Sequence, residues 1–104
     1  MIKLSCIIPS YKDPLLSKTI ESLLENSELP KDELEVIAVL DGYEPTFELV
    51  EDPRVKYIRQ ENKGMREAIN VAIENAKGEY ILRTDEHCMF CKGYDRILLE
   101  TCED

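Results

Sequence analysis

Three features of the sequence predict a three-layer α/β/α domain with a mainly parallel sheet in the strand order 3-2-1-4. Short apolar runs alternate with segments of helical periodicity, the signature of successive β-α units. One run, Val36-Ile37-Ala38-Val39-Leu40, is apolar at every position, as suits a central parallel strand covered on both faces. Right-handed crossovers then leave four parallel strands few layouts, and the doubly wound order sets strands 1 and 4 side by side.

The elements follow in chain order. Leu4-Ser5-Cys6-Ile7-Ile8 reads as the first strand, ended by Pro9. Asp13 as N-cap and Pro14 at the first helical position open a helix whose Leu16, Ile20, Leu23 and Leu24 recur at helical spacing. The second strand stops at the turn signal Asp41-Gly42. Between Tyr43 and Asp52 the pattern supports a short helix at most. Val55-Lys56-Tyr57-Ile58-Arg59 alternates apolar and basic residues, as an edge strand does. Met65, Ala68, Ile69, Ala72, Ile73 and Ala76 form one apolar helical stripe after Gly64, with Gly78 expected at C′. Tyr80-Ile81-Leu82-Arg83-Thr84 is the fourth strand and runs into Asp85-Glu86-His87. A last helix, Tyr94 to Cys102, is expected to turn Tyr94, Ile97, Leu98 and Cys102 inward.

At 104 residues the chain has the size of one domain and can bury roughly two-thirds of its unfolded surface. It carries 22 acidic and 13 basic side chains, a net charge of −9. So acidic a surface repels nucleic-acid backbones and anionic lipid, and neither is an expected partner. No long apolar run or signal peptide is present, so a cytoplasmic setting is expected. Cys6, Cys88, Cys91 and Cys102 are too few and too unevenly spaced for a disulfide scaffold, and Cys6 reads as a buried thiol.

Ligands of doubly wound sheets bind outside the carboxyl ends of the strands, at the crevice where the strand order reverses. Pro9-Ser10-Tyr11, Asp41-Gly42 and Asp85-Glu86-His87 leave those ends and should converge there. Asp85 and His87 are one residue apart in an extended segment, so a carboxylate and an imidazole can grip one ion. That donor pair suits Mn²⁺ better than Mg²⁺, which prefers oxygen alone. A bland alternative makes the same residues a polar turn before the last helix. Lys63 and Arg66 open the Gly64 helix, where basic side chains and free N–H groups suit an anion as well as solvent.

Leu4-Ser5-Cys6-Ile7-Ile8-Pro9-Ser10-Tyr11, Asp41-Gly42, Asn62-Lys63-Gly64 with Ala68 and Asn70, and Lys77-Gly78-Glu79-Tyr80-Ile81 before Asp85 resemble the family 2 glycosyltransferases of the GT-A, Rossmann-like fold. The order and spacing match over nearly the whole chain. Thr84-Asp85-Glu86-His87-Cys88, followed by Gly93-Tyr94, is closer to the polypeptide N-acetylgalactosaminyltransferases, which use Asp-x-His where most family 2 members use Asp-x-Asp.

The resemblance implies a hexosyltransferase-type enzyme whose residues 1–104 form a single nucleotide-sugar-binding domain, a fragment of a larger GT-A domain. Pro9, Ser10 and Tyr11 would line the base and ribose pocket of a UDP-sugar, and Asp41 would accept a hydrogen bond from the uracil. Asp85 and His87 would hold the metal, Mn²⁺ before Mg²⁺. The second half of such an enzyme carries the acceptor site, for a glycan, lipid or protein, so this chain alone should transfer sugar poorly. An open sheet edge beyond strand 4 would favour a homodimer. Two other readings stand beside this one: a sugar-nucleotide-binding module without transfer activity, and a thiol or zinc domain built on Cys88 and Cys91.

Overall fold

Alternation along the strands decides which helix each side chain meets. A computed structural model describes residues 1–12, 14–85 and 89–103, with side chains as far as Glu100. The regular elements are β1 (Leu4–Ser10), α1 (Leu16–Glu25), β2 (Leu34–Asp41), β3 (Val55–Gln60), α2 (Met65–Asn75), β4 (Tyr80–Arg83) and α3 (Tyr94–Glu103). All strand pairings are parallel, in the order β3-β2-β1-β4, as the doubly wound pattern predicts. Leu4, Cys6 and Ile8 of β1, with Leu34, Val36, Ala38 and Leu40 of β2, pack on one face against Leu16, Ile20 and Leu23 of α1 and Tyr94 of α3. Ile7, Ile37 and Val39 point the other way, onto Ala68 and Ala72 of α2. The two central strands are therefore buried on both faces, and the sheet sits between helices.

Helix α1 begins at Leu16, not at Pro14, which lies with Leu15 in a preceding turn. The expected cap, Asp13, lies outside the described residues. Leu15 occupies the N-cap position and makes no side-chain cap bond. Strand β1 runs on through Pro9 to Ser10 beside β2, whereas its pairing with β4 stops at Ile7. Proline is tolerated there because the β4 ladder no longer needs a donor. Residues 43–52 form no regular element. They lie over the α1 face through Tyr43, Phe47, Leu49 and Val50.

The apolar stripe of α2 is narrower than its periodicity predicts. Ala68 and Ala72 are fully buried, while Met65 is 38% and Ile73 45% exposed. Small side chains bring the helix close to β1 and β2, so only its innermost line is covered. In α3 the inward residues are Tyr94, Asp95 and Leu99, and the expected Ile97 and Leu98 are exposed instead. Hydrogen bonds set that rotation: Tyr94 donates its hydroxyl to the Leu23 carbonyl at 2.8 Å, and Asp95 accepts from Ser27 Oγ and from the Glu28 amide. Cys102 has no described side chain. Cys6 is fully buried, as expected, and burial pushes its thiol up to about 12.

Gly78 is not a helix C′ residue, because the chain leaves α2 in extended conformation at Ala76. It stands instead against β1. A Cβ there would lie 2.5 Å from Ser5 Oγ and 2.6 Å from Ser5 N. Its amide donates to Ser5 Oγ at 2.8 Å, and the Ser5 hydroxyl donates to the buried Glu35 carboxylate at 2.5 Å. Glu35 also accepts from the Lys77 amide at 2.6 Å and pairs with Lys56 at 3.5 Å. Burial works against its charge, yet these donors outweigh burial and hold its carboxyl below the usual range. Gly78→Ala should therefore cost about 1–3 kcal/mol, the range for overpacking. Urea unfolding of the variant checks this, and an unchanged midpoint would contradict the close approach.

Candidate functional site

The carboxyl ends of the four strands form one rim. Ser10 closes β1, Asp41 closes β2 directly opposite Gln60 of β3, and Thr84-Asp85 follow β4 beside β1. Pro9 and Ser10 are buried in the strand. Ser10 shares a 2.5 Å hydrogen bond with the hydroxyl of Tyr43. Tyr43 in turn meets the ring of Tyr11 edge-on, with centroids 6.2 Å apart. Tyr11 is 43% exposed and carries Lys12 Nζ over its face at 5.1 Å. Lys12 has φ of 61°, a left-handed backbone at a non-glycine residue. Strand β1 thus delivers an exposed aromatic ring, backed by a second one, to the rim.

Asp41 is 2% exposed and heavily engaged. Its Oδ1 accepts from Gln60 Nε2 and from the Lys63 amide, both at 2.9 Å, and its Oδ2 accepts from the Gly64 amide at 3.1 Å. Burial would raise the carboxyl, but the hydrogen bonds from Gln60, Lys63 and Gly64 prevail and hold it below the usual range. Gly42 follows with φ of 72°, donates its amide to the Gln60 carbonyl at 2.8 Å, and lies where a Cβ would fall 2.6 Å from Asn62 Cβ. Residues 41–42 and 60–64 are consequently locked together. Gly64 occupies the N-cap position of α2, with φ of 95°.

Lys63 and Arg66 are both exposed at the start of α2, and neither forms an ion pair among the described residues. Asp85 is exposed, and its carboxylate is uncommitted among the described residues; Thr84 beside it is buried. An accessible oxygen donor at the end of β4 fits one half of a divalent site. His87, the other half of that pair, lies outside the described residues with Glu86 and Cys88. No cluster of three ligating side chains occurs among those described. Cys91 is a free, exposed thiol.

Two rim residues escape the sequence reading. Tyr43 sits in the stretch with the weakest pattern, and only its position directly after Asp41-Gly42 marks it. Gln60 falls just outside the strand read as Val55 to Arg59, although its amide is one of the groups that hold Asp41. Clefts lie at both ends of the sheet. One of about 410 Å³ lies beside the Tyr11 rim, between Lys12, Pro14, Tyr43 and Phe47. The larger, about 620 Å³, opens at the amino ends between Ile2, Leu34, Arg54 and Lys77, on the far side from Asp41 and Asp85.

Residues 5–104 match glycosyl transferase family 2, and the chain belongs to that family. It is 30% identical over 92 residues to the poly(ribitol-phosphate) β-N-acetylglucosaminyltransferase TarS of Staphylococcus aureus, covering 82% of this chain and 16% of that protein. It is 34% identical over 84 residues to the glycosyltransferase EpsJ of Bacillus subtilis, covering 74% of this chain and 24% of EpsJ. Among solved structures, residues 1–349 of S. aureus TarS in complex with UDP superpose with a TM-score of 0.74 at 20% identity, over 98% of this chain and 32% of that one. The chain thus spans no more than 24% of the length of either TarS or EpsJ.

The depressed carboxyl of Asp41 has a stability consequence with a definite sign. Its contribution is complete above the unfolded value of about 3.9 and is lost as pH falls through the lower folded value. Asp52, held down to about 2 by its hydrogen bonds from Arg54, acts in the same direction. Stability should hold from neutral pH to about 5 and decline below about 4. Asp41→Asn should lose about 1–3 kcal/mol at neutral pH, because its amide meets backbone donors, and should show a shallower acid decline. Denaturant unfolding as a function of pH reads both effects; equal acid slopes would contradict the assignment.

Proposed function

We propose that this chain is the donor-binding part of a glycosyltransferase and holds a UDP-sugar with a divalent metal across the carboxyl-end rim. The observation that carries the reading is the convergence of Tyr11, Asp41 and Asp85 on adjoining strand ends of a family 2 domain, with the Lys63 amide bonded to Asp41. The likeness to a UDP-bound TarS structure supports the choice of nucleotide. In this reading Pro9, Ser10 and Tyr11 flank the nucleoside, and Tyr11 offers an aromatic face for the base. Asp41 has roughly one acceptor site left of about four, enough for a single ring N–H. Lys63 and Arg66 lie toward the diphosphate, whose charge the rest of this acidic chain repels.

Asp85 and His87 are the proposed metal ligands, with Mn²⁺ preferred over Mg²⁺ because of the nitrogen donor. A bound divalent cation would supply charge neutralisation to the leaving diphosphate. Without one, the diphosphate and the exposed Asp85 carboxylate would repel each other. Calorimetry should show UDP binding that strengthens with Mn²⁺ in the wild type and loses this dependence in Asp85→Ala and His87→Ala. Metal-dependent affinity that survives both substitutions would overturn the ligand assignment.

Transfer also needs an acceptor hydroxyl in near-attack geometry, a contribution of roughly 7–11 kcal/mol, and for inversion a base worth about 10²–10⁴-fold. Asp41 is committed to its donors and Asp85 to the metal, so neither is free to serve as that base. The 104-residue chain should bind donor yet release UDP only slowly, with little gain from added acceptors. Efficient acceptor-dependent UDP release would overturn this part of the reading, and complete inactivity beside tight binding would favour a binding module. The outer position of β4, with Ile81 46% exposed, further leads us to expect a homodimer through that edge. Light scattering should then give twice the monomer mass, and a monomer at high concentration would contradict it.

A further inference from the structure

We infer that Tyr43 is a positioning residue for the base end of the donor site, holding the Tyr11 ring in the orientation that receives the nucleobase. The inference rests on the donor-binding reading above, which places Ser10 and Tyr11 at the nucleoside. Tyr43 touches both of them. Its hydroxyl shares a 2.5 Å hydrogen bond with Ser10 Oγ, and its ring meets that of Tyr11 at 78° with centroids 6.2 Å apart. The two tyrosines are held to different degrees. Tyr43 packs with Phe47 against the core on the α1 face, and its chain neighbours are fixed on both sides. Before it, the Gly42 amide donates to the Gln60 carbonyl at 2.8 Å; after it, the Glu44 carboxylate accepts from Arg59 at 2.6 and 3.1 Å. Tyr11 stands just past the end of β1, is 43% exposed and leads into the left-handed backbone of Lys12.

The physical logic is preorganisation. A ring that offers its face to a base gains affinity when it is held in place beforehand, because ordering a side chain on binding costs free energy. Edge-to-face aromatic contact supplies such a hold, since it favours a particular ring angle. Ser10 is fully buried in β1, so its bond ties the Tyr43 ring to the sheet itself. Position is thus passed from the sheet through Ser10 and Tyr43 to Tyr11. Lys12 Nζ, 5.1 Å over the Tyr11 ring, is a weaker hold, because an exposed lysine keeps many rotamers. Tyr43 also lines the cleft of about 410 Å³ beside the rim. Truncating it would widen that cleft and give the Tyr11 ring space to turn away from the base.

The test is calorimetry of UDP with Mn²⁺ on the full chain, run as a double-mutant cycle between the two tyrosines. Tyr43→Leu should weaken UDP about two- to tenfold, the range expected of an aromatic pair. On a Tyr11→Ala background the same substitution should cost no further affinity, because the ring it positions is gone. Equal losses in both backgrounds would overturn the inference, as would a lowered melting temperature with UDP affinity unchanged, the mark of a purely structural role. Should Tyr43→Leu fail to fold, Tyr43→Phe keeps the ring and removes the bond to Ser10. It should weaken UDP about twofold or more, again only where Tyr11 is present, and unchanged affinity there would overturn the inference. Unchanged affinity in Tyr11→Ala would also overturn it, while leaving the donor-binding reading to stand on Asp41 and Asp85. Failure of the wild type to bind UDP at all would instead overturn that reading, and this inference with it.

Discussion

Strand β2 carries a buried carboxylate at each end, and the placement of α2 depends on that pair. At the amino end Glu35 takes the Lys77 amide and the Ser5 hydroxyl, which holds the Gly78 amide in turn. At the carboxyl end Asp41 takes Gln60 and the Lys63 and Gly64 amides. Residues 60–64 precede α2 and residues 77–78 follow it, so the helix is pinned to the sheet at both ends. A buried charge is costly unless donors surround it. Here half of the donors are backbone amides, from residues that lead into α2 and from the turn that follows it.

This arrangement explains why so small an apolar stripe suffices for α2. Ala68 and Ala72 are its only fully buried residues among those described, and two methyl groups bury little surface. Polar anchoring at the ends replaces the area that a leucine-rich stripe would supply, and it brings a second benefit. A helix held at its ends presents its first turn at a fixed height above the sheet, beside the end of β2. On the opposite face α1 and α3 rest on a larger core of leucine, isoleucine and Tyr94, to which Asp95 adds bonds from Ser27 and Glu28. The two faces of one sheet thus differ in their balance of apolar area and polar anchoring.

The strand order and the two-sided burial of β2 are legible in the sequence because periodicity reports burial directly. Val36 to Leu40 has no polar position to give away an exposed face, and the structure buries all of it. What periodicity does not report is rotation set by polar contacts. Ile97 and Leu98 look like core residues, but Asp95, bonded to Ser27 and Glu28, turns α3 so that Leu99 faces inward. Gly78 likewise looks like a helix terminator, whereas its need is for space beside Ser5, a contact 73 residues away in the chain. The rim residues Tyr11, Asp41 and Asp85 could be found from strand ends alone, and Lys63 from the start of the Gly64 helix. Tyr43 and Gln60 could not, because their roles lie in hydrogen bonds to Ser10 and Asp41 rather than in any local pattern.

The central claim is that donor chemistry belongs to the carboxyl-end rim, although the larger cleft opens at the amino ends. Titrating UDP with Mg²⁺, a diamagnetic substitute for Mn²⁺, into ¹⁵N-labelled chain and following the backbone amide shifts tests it most directly. The account predicts perturbations at Tyr11, Gly42, Lys63, Gly64 and Asp85, saturating together. Shifts confined to Ile2, Leu34, Arg54 and Lys77 would place the nucleotide at the opposite end of the sheet and contradict it.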